Sequence, residues 1–256
     1  MILVFGGTTE GLKVADLLEQ SAISFVYSTK TKVEIADRQG MLYRFGAFDL
    51  ESLSEYIAEN MIELIIDASH PFAVELHDLL AEFSQSNPVK LIRLERKFPP
   101  RLSDEKITYV NDTNEALALL NSRYQGKTLV SFTGVQSIVK LKEFWENNVS
   151  YFRILNRKSS MSLAEAVSFP IENLITTAMS KLACEEKELL KRHKAQVVLL
   201  KESGESGAFM TKIEAVKSLG LECIVIKKPE LPQAYQQVFS WEELKMIFEG
   251  KEELWA

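Results

Sequence analysis

Residues 1–11 read Met-Ile-Leu-Val-Phe-Gly-Gly-Thr-Thr-Glu-Gly, and this stretch decides the fold of the chain. The apolar run from 2 to 5 predicts a buried strand, and the glycines after it predict a tight turn. Leu12, Ala15 and Leu18 then recur at the spacing of a helix. Such a turn brings backbone N–H groups and a helix N-terminus together, which suits a phosphate. We therefore predict the first βα unit of a dinucleotide-binding fold.

The turn departs from the G-x-G-x-x-G fingerprint at one position. Gly6 and Gly11 correspond to its first and last glycines, but Thr8 stands where the middle glycine is usual. The hydroxyls of Thr8 and Thr9 are candidates to donate hydrogen bonds to phosphate oxygens instead. The alternative interpretation is a tight βα turn that binds no cofactor, because glycine turns are common.

The composition is that of an ordinary globular protein. At 256 residues, with 46% apolar and 26% charged residues, the chain suits one large or two small domains. A net charge of −6 argues against a general nucleic-acid binder. The apolar runs are too short to span a bilayer, and Met1 leads straight into a core strand, so we expect no membrane segment, no signal peptide and a cytoplasmic location. Cys184 and Cys223 are far apart and predict no metal site.

Strand-like apolar runs alternate with amphipathic helical runs along the whole chain. The predicted strands are 2–5, 24–27, 42–45, 64–67, 90–94, 107–110, 128–132, 150–155, 174–177, 197–201 and 223–226. The predicted helices are 12–19, 50–60, 72–83, 136–143, 163–167, 182–191, 209–219 and 241–248. This alternation predicts an α/β fold with parallel sheets that are covered on both faces.

The number of predicted strands is large for one small sheet, so we expect two packed α/β domains, 1–110 and 111–256. The seam is expected between Pro99 and Gly126, where the chain is polar. The last predicted helix covers either the second sheet or the first. Ligands of such sheets bind beyond the carboxyl ends of the strands, so the residues after each strand carry the functional predictions.

Hydroxyls and lysines follow the second predicted strand. Ser28, Lys30 and Lys32 occupy the place where NAD-binding folds usually carry an acid for the ribose. These groups suit the 2′-phosphate of NADP(H), which we therefore favour over NAD(H). The alternative is a solvated basic loop.

The fourth predicted strand ends in Asp67-Ala68-Ser69-His70-Pro71-Phe72-Ala73. Pro71 suits the first position of a helix, with Ser69 or His70 as its cap. His70 is a candidate general acid, and a purely structural cap is the alternative. These residues begin a second helix next to the first one.

The fifth predicted strand ends in Arg93-Leu94-Glu95-Arg96. Alternation along a strand puts Arg93 and Glu95 on one face and Arg96 on the other. Basic groups at a strand end suit a ligand with several carboxylates, whereas the alternative is an Arg–Glu ion pair at a sheet edge. In the second half, Thr133 and Gly134 follow a predicted strand in the same way.

These motifs, in this order, resemble the precorrin-6A reductase family of corrin biosynthesis, which includes the cobalt-precorrin-6A reductases. The matching segments are GGTTEG at 6–11, the serine and basic loop at 28–32, GAF at 46–48, DASHPFA at 67–73, RLER at 93–96, FRIL at 152–155 and KESGESGAFMTKIEA at 201–215. The resemblance spans most of the chain. Its most specific part is DASHPFA followed by RLER at this distance.

The resemblance implies two Rossmann-like domains with parallel sheets and a substrate cleft between them. It also implies reduction of one macrocycle double bond by a pyridine nucleotide, with a proton from His70, Glu95 or water. The implied cofactor residues are Gly6, Gly7, Thr8, Thr9, Glu10, Gly11, Ser28, Lys30, Lys32, Ser69, His70, Pro71 and Phe72. The candidates for the polycarboxylate tetrapyrrole are Arg93, Arg96, Thr133, Gly134, Arg153, Ser203, Gly204 and Lys212.

An alternative from another class is a non-catalytic, two-lobed protein that senses a nucleotide. Such a sensor needs a hinge and a nucleotide site but no polycarboxylate pocket. A methyltransferase of the same pathway also uses a glycine turn after its first strand, but the basic loop at 28–32 argues against it. The cobalt content of the substrate and the oligomeric state stay open.

Overall fold

The structure, a computed structural model, describes residues 1–249. The chain forms two compact units, one of Met1–Lys97 with the segment that begins at Glu230, and the other of Phe98–Pro229. The strands are β1 (Ile2–Phe5), β2 (Phe25–Thr29), β3 (Met41–Phe45), β4 (Leu64–Asp67), β5 (Lys90–Leu94), β6 (Ile107–Val110), β7 (Leu129–Ser131), β8 (Ser150–Arg153), β9 (Leu174–Ile175), β10 (Val197–Lys201), β11 (Glu222–Ile226) and β12 (Gln236–Val238). The helices are α1 (Thr9–Gln20), α2 (Leu50–Glu59), α3 (Val74–Ser86), α4 (Thr113–Arg123), α5 (Gln136–Lys140), α6 (Lys142–Trp145), α7 (Lys158–Ala166), α8 (Ala183–Arg192), α9 (Phe209–Ser218) and α10 (Trp241–Glu249).

The first unit is built on a parallel sheet with the order β3-β2-β1-β4-β5-β12. This is the 3-2-1-4-5-6 order of dinucleotide-binding sheets. The central strands are apolar at every position because both of their faces are covered. Ile2 and Val4 pack in the same cluster as Leu244 of α10, whereas Leu3 and Phe5 pack with residues of α2 and α3 on the other face.

The second unit repeats this plan with a different source for its last strand. Its parallel sheet, given in the same direction as the first, has the order β9-β8-β7-β10-β11-β6. The strand in the sixth position is β6, which precedes the other five in sequence. Apolar residues of β7, β10 and β11 pack against α8 and α9.

The predicted α/β class with two parallel sheets is confirmed, and all the predicted strands are present. Two elements were not predicted. β12 is short and only its Val238 is buried, and α4 lies in the polar stretch taken for a seam, with only Ala116 and Leu120 buried. Neither segment carries a long enough apolar pattern to be seen in the sequence.

The two units divide the chain differently from the predicted domains 1–110 and 111–256. β6 pairs with β11, so the chain enters the second unit at Phe98, just ahead of the predicted seam. β12 pairs with β5, and α10 packs on the first sheet, so the C-terminal segment returns to the first unit. None of the helices described in residues 1–249 has the length and apolarity needed to cross a membrane.

We expect Leu244→Ala to destabilise the first unit by about 2–4 kcal/mol, because Leu244 is fully buried and its truncation leaves a cavity. Met246, on the same helix, is 62% exposed. Met246→Ala is the matched control, with an expected change under about 0.5 kcal/mol. Urea unfolding followed by circular dichroism measures both variants. Equal midpoints would contradict the packing of α10 on the first sheet.

Candidate functional site

The turn between β1 and α1 needs its glycines for two different reasons. A β-carbon on Gly6 would overlap the ring of Tyr27, and one on Gly11 would lie 2.7 Å from the α-carbon of Gly6. Gly7 has φ +86°, a conformation that side chains rarely adopt. The close approach of Gly11 to Gly6 lets the helix start directly against the strand, which is the role of the last fingerprint glycine.

Thr8 holds the turn from its side chain. Its Oγ1 accepts a hydrogen bond from the N–H of Gly11 at 3.0 Å and donates one to the carbonyl of Ala68 at 2.6 Å. The hydroxyl hydrogen is therefore used inside the protein, which differs from the prediction that it donates to a phosphate. Among the described residues, the backbone N–H groups of Thr8 and Thr9 have no hydrogen-bond partner. The anion-binding capacity of this turn comes from its backbone and from the N-terminus of α1.

The end of β2 places its three predicted residues in different surroundings. Ser28 is buried, and its carbonyl accepts a hydrogen bond from the N–H of Gly6 at 2.9 Å. Lys30 forms an exposed ion pair with Glu75 at 3.0 Å, and Lys32 lies 5.7 Å from the centre of the Phe45 ring. Both lysines lie on the surface.

Arg44, which lies beside Ser28 on β3, is not among the residues predicted from the sequence. The two residues are register partners, and Nη1 of Arg44 donates to Oγ of Ser28 at 2.8 Å. The guanidinium carbon is 3.6 Å from the centre of the Phe48 ring. Only the register of β2 and β3 brings Arg44 to this point, so no local sequence signal identifies it.

A buried ionic cluster lies at the ends of β4 and β5. Arg93 is 1% exposed, and its Nη1 is 2.9 Å from Oδ1 of Asp67. Its Nη2 donates to the carbonyl of Ser69 at 3.0 Å. Nε2 of His77 lies 3.3 Å from Oδ2 of Asp67, and burial lowers the pKa of His77, which keeps its ring neutral at pH 7.

This cluster corrects the prediction that Arg93 contacts substrate carboxylates. The side chain is inside the protein, and its charge is already balanced by Asp67. A buried arginine with this pairing holds the strand ends together. The alternative prediction, an ion pair between Arg93 and Glu95, is closer to the structure. The main partner of Arg93 is nevertheless Asp67, and Oε2 of Glu95 lies farther from Nε of Arg93, at 3.9 Å.

The segment after β4 forms a turn before α3 begins. The prediction had Pro71 starting the helix with Ser69 or His70 as cap, but α3 begins at Val74 and Ala73 is its N-cap. Nδ1 of His70 instead accepts a hydrogen bond from the N–H of Phe72 at 3.2 Å. The side chain of His70 is exposed, so it is accessible to a ligand.

Arg96 and Glu10 join the end of β5 to the first turn of α1. Nη2 of Arg96 is 2.9 Å from Oε2 of Glu10, and both side chains are largely buried. Glu95 is also buried, and its Oε1 accepts a hydrogen bond from the N–H of Arg96 at 2.8 Å. The phosphate turn, the end of β4 and the end of β5 are thus linked at one edge of the first sheet.

The predicted residues of the second unit also gather beyond the carboxyl ends of its strands. Arg153 forms a two-fold hydrogen-bonded ion pair with Glu186, with both distances 2.8 Å. The hydroxyl of Thr133 bonds to the hydroxyls of Ser131 and Ser137. These groups are held by partners within the second unit.

Lys212 is the basic residue predicted to bind substrate in this unit whose ammonium has no carboxylate within ion-pair distance among residues 1–249. The charge of Glu186 still acts on it from farther away. Its Nζ donates to the carbonyl of Gly207 at 2.7 Å and lies 5.9 Å from the centre of the Phe132 ring. Burial lowers the pKa of Lys212 to about 8. Ser203 and Gly204 lie on the same loop, ahead of Gly207, and both are buried.

Proteins of known name resemble this chain over most of its length. The cobalt-precorrin-6A reductase of Methanocaldococcus jannaschii is 24% identical over 238 residues, which cover 90% of this chain and 91% of that protein. The enzyme of the same name from Priestia megaterium is 26% identical over 253 residues and covers 94% of both chains. A precorrin-6A reductase of Sinorhizobium sp is 26% identical over 234 residues, covering 89% of this chain and 84% of that one.

A solved structure shares the fold. The structure of CobK precorrin-6A reductase matches with a TM-score of 0.78 and 22% identity, over 100% of this chain and 97% of that chain. The sequence profile of the family described as precorrin-6x reductase CbiJ/CobK matches residues 1–248. The chain therefore belongs to the precorrin-6x reductase CbiJ/CobK family.

Proposed function

We propose that the chain reduces one carbon–carbon double bond of precorrin-6A, or of its cobalt form, in cobalamin biosynthesis. The observation that carries the proposal is the phosphate turn of the first unit, whose packed glycines and unpaired backbone N–H groups fit the diphosphate of a pyridine nucleotide. When bound, the reduced nucleotide supplies a hydride to one ring carbon, and a proton is added to the neighbouring carbon. The product gains two hydrogens and the nucleotide is oxidised.

The residues for the nucleotide diphosphate are those of the turn itself. Thr8 and Thr9 present their N–H groups, and the exposed Gly7 leaves room for the close approach of a phosphate. Glu10 stands on the same first turn of the helix, where its negative charge would repel the diphosphate. The ion pair with Arg96 offsets that repulsion.

The coenzyme that we favour is NADP(H), with NAD(H) as the alternative. The stretch from 28 to 32 contains two lysines and no acid, and an acid at this place is what favours the NAD ribose. We also place the reaction in the cytoplasm, because Cys184 and Cys223 are both free thiols.

Of the two catalytic candidates, His70 fits proton donation better than Glu95. The hydrogen bond from Phe72 to Nδ1 puts the proton of the neutral ring on Nε2, from which it can be donated. Glu95 is buried and its Oε1 is occupied by a backbone N–H. Ser69, Pro71 and Phe72 belong to the same turn, and we propose that this turn adjoins the nicotinamide.

The substrate carboxylates are assigned to the second unit. Lys212 supplies an ammonium group that has no carboxylate within ion-pair distance in the described part of the chain, so a carboxylate of the macrocycle would complete its pairing. Additional candidates follow the carboxyl ends of two strands of this unit. They are Thr133 and Gly134 after β7, and Ser203 and Gly204 after β10. Arg153 and Arg96 remain candidates that would share their charge with Glu186 and Glu10.

The direct test is incubation with precorrin-6A or its cobalt form and each reduced nucleotide. Oxidation of the nucleotide and a product heavier by two hydrogens are the expected results. Nucleotide binding without oxidation in any combination would support the non-catalytic alternative, and the absence of binding would remove the nucleotide site as well.

We expect Arg96→Gln to weaken the binding of NADPH and NADH alike by about tenfold, because Glu10 then faces the diphosphate without its partner. The double variant Glu10→Gln/Arg96→Gln should recover most of this loss. Isothermal titration calorimetry measures both affinities. Persistence of the loss in the double variant would mean that Arg96 contacts the nucleotide itself.

We expect kcat/KM for the macrocycle to fall as the pH rises through about 8, because the free enzyme then loses the Lys212 ammonium that binds a carboxylate. Below that pH the group is charged and the effect is absent. Lys212→Arg keeps its charge and should abolish this fall, whereas Lys212→Gln should be weak at every pH. An unchanged pH profile in Lys212→Arg would show that another group titrates.

A further inference from the structure

Arg44 has fixed side-chain contacts, yet no acid among the described residues balances its charge. Its guanidinium donates to Ser28 at 2.8 Å, stacks 3.6 Å from the centre of the Phe48 ring and lies 5.5 Å from that of Tyr56. Burial lowers the pKa of Arg44, although an arginine stays charged at neutral pH. The side chain is therefore a half-buried, fixed cation.

The other arginines that are buried or half-buried in residues 1–249 all have carboxylate partners. Arg38 pairs with Asp16, Arg93 with Asp67, Arg96 with Glu10 and Arg153 with Glu186. Among the described residues, no acid lies within ion-pair distance of Arg44. The carboxylate of Asp49, close in sequence, caps α2 by accepting from the N–H of Ser52 at 2.8 Å. Arg44 thus keeps an unused positive charge.

The register of the sheet relates Arg44 to the turn between β1 and α1. Ser28 is the register partner of Arg44 on one side and of Phe5, the last residue of β1, on the other. The carbonyl of Ser28 also accepts the N–H of Gly6. Arg44 therefore lies two strands from the turn, at the edge where the second strand of this fold meets the ribose of a dinucleotide.

The loop after β3 leaves the guanidinium accessible. Gly46 has φ +117°, and a β-carbon on it would lie 3.4 Å from Nη2 of Arg44. A larger residue there would crowd Nη2 of Arg44, which donates a long hydrogen bond of 3.4 Å to the carbonyl of Phe45. Stacking on one face leaves the edge of a guanidinium available for two parallel hydrogen bonds to phosphate oxygens.

We infer that Arg44, positioned by Ser28 and Phe48, binds the 2′-phosphate of NADP(H) and sets the preference for it over NAD(H). This inference rests on the proposed nucleotide site and names the residue that binds the 2′-phosphate. Lys30 and Lys32, which the sequence indicated for this task, are exposed side chains engaged with Glu75 and Phe45. They contribute at most a diffuse attraction.

The test is calorimetric binding of NADP⁺, NAD⁺ and adenosine 2′,5′-bisphosphate to the wild type and to Arg44→Gln. We expect Arg44→Gln to bind NADP⁺ and the bisphosphate at least about tenfold more weakly, with the affinity for NAD⁺ unchanged. Lys32→Gln tests the loop after β2, and because its ammonium is exposed it should change every affinity less than about twofold. Unchanged NAD⁺ binding also shows that the variant is folded.

Arg44→Lys keeps the charge but loses the paired hydrogen bonds, so we expect an intermediate NADP⁺ affinity. If both nucleotides bind and Arg44→Gln leaves their ratio unchanged, the inference is wrong while the proposed function stands. If Lys32→Gln carries the larger loss, the 2′-phosphate lies on the loop instead. If the wild type binds neither nucleotide, the proposed function fails, and the inference fails with it.

Discussion

The contact between α1 and β1 at Gly11 and Gly6 is the constraint on which the site depends. Helix and strand approach so closely that a β-carbon on Gly11 would come within 2.7 Å of Gly6. This closeness aims the N-terminus of α1 at the edge of the sheet, and Thr8 then ties the turn to Ala68 beyond β4. Because the hydroxyl of Thr8 is used in that bond, the backbone N–H groups and the exposed hydroxyl of Thr9 are left to meet an anion. A middle glycine is not needed when the side chain at its position folds inward.

Charge in this protein is arranged locally. The whole chain carries a net charge of −6, so its general field would repel a nucleotide or a polycarboxylate. Most inward-facing arginines are neutralised by acids that come from distant parts of the sequence, such as Asp67 for Arg93. In the described part of the chain, Arg44 and Lys212 are cations without a carboxylate within ion-pair distance, and both are held by side-chain contacts. In the proposed sites, binding depends on which cation has no carboxylate beside it, rather than on how many cations a segment contains.

The parts of the fold that could be predicted are those that depend on short-range patterns in the sequence. The apolar strands, the glycine turn and the alternation with helices could all be predicted, because buried parallel strands are continuously apolar. The pairing of side chains could not be predicted. Arg93 and Asp67 lie on different strands, and Arg44 contacts Ser28 only because of the register between β2 and β3. β12 was missed because a three-residue edge strand with one buried side chain leaves no pattern. The predicted domain boundary failed for the same reason, as edge strands decide which unit a segment joins.

The position of β12 has a consequence for synthesis on the ribosome. Five strands of the first sheet are made before residue 98, but the sixth comes from beyond Pro229. The second unit is one continuous stretch, so all of its strands emerge together and it can close while the first sheet still has an open edge at β5. During translation that edge exposes unpaired N–H and C=O groups until β12 has been made. The half of the protein that begins the sequence is thus the half that is finished last.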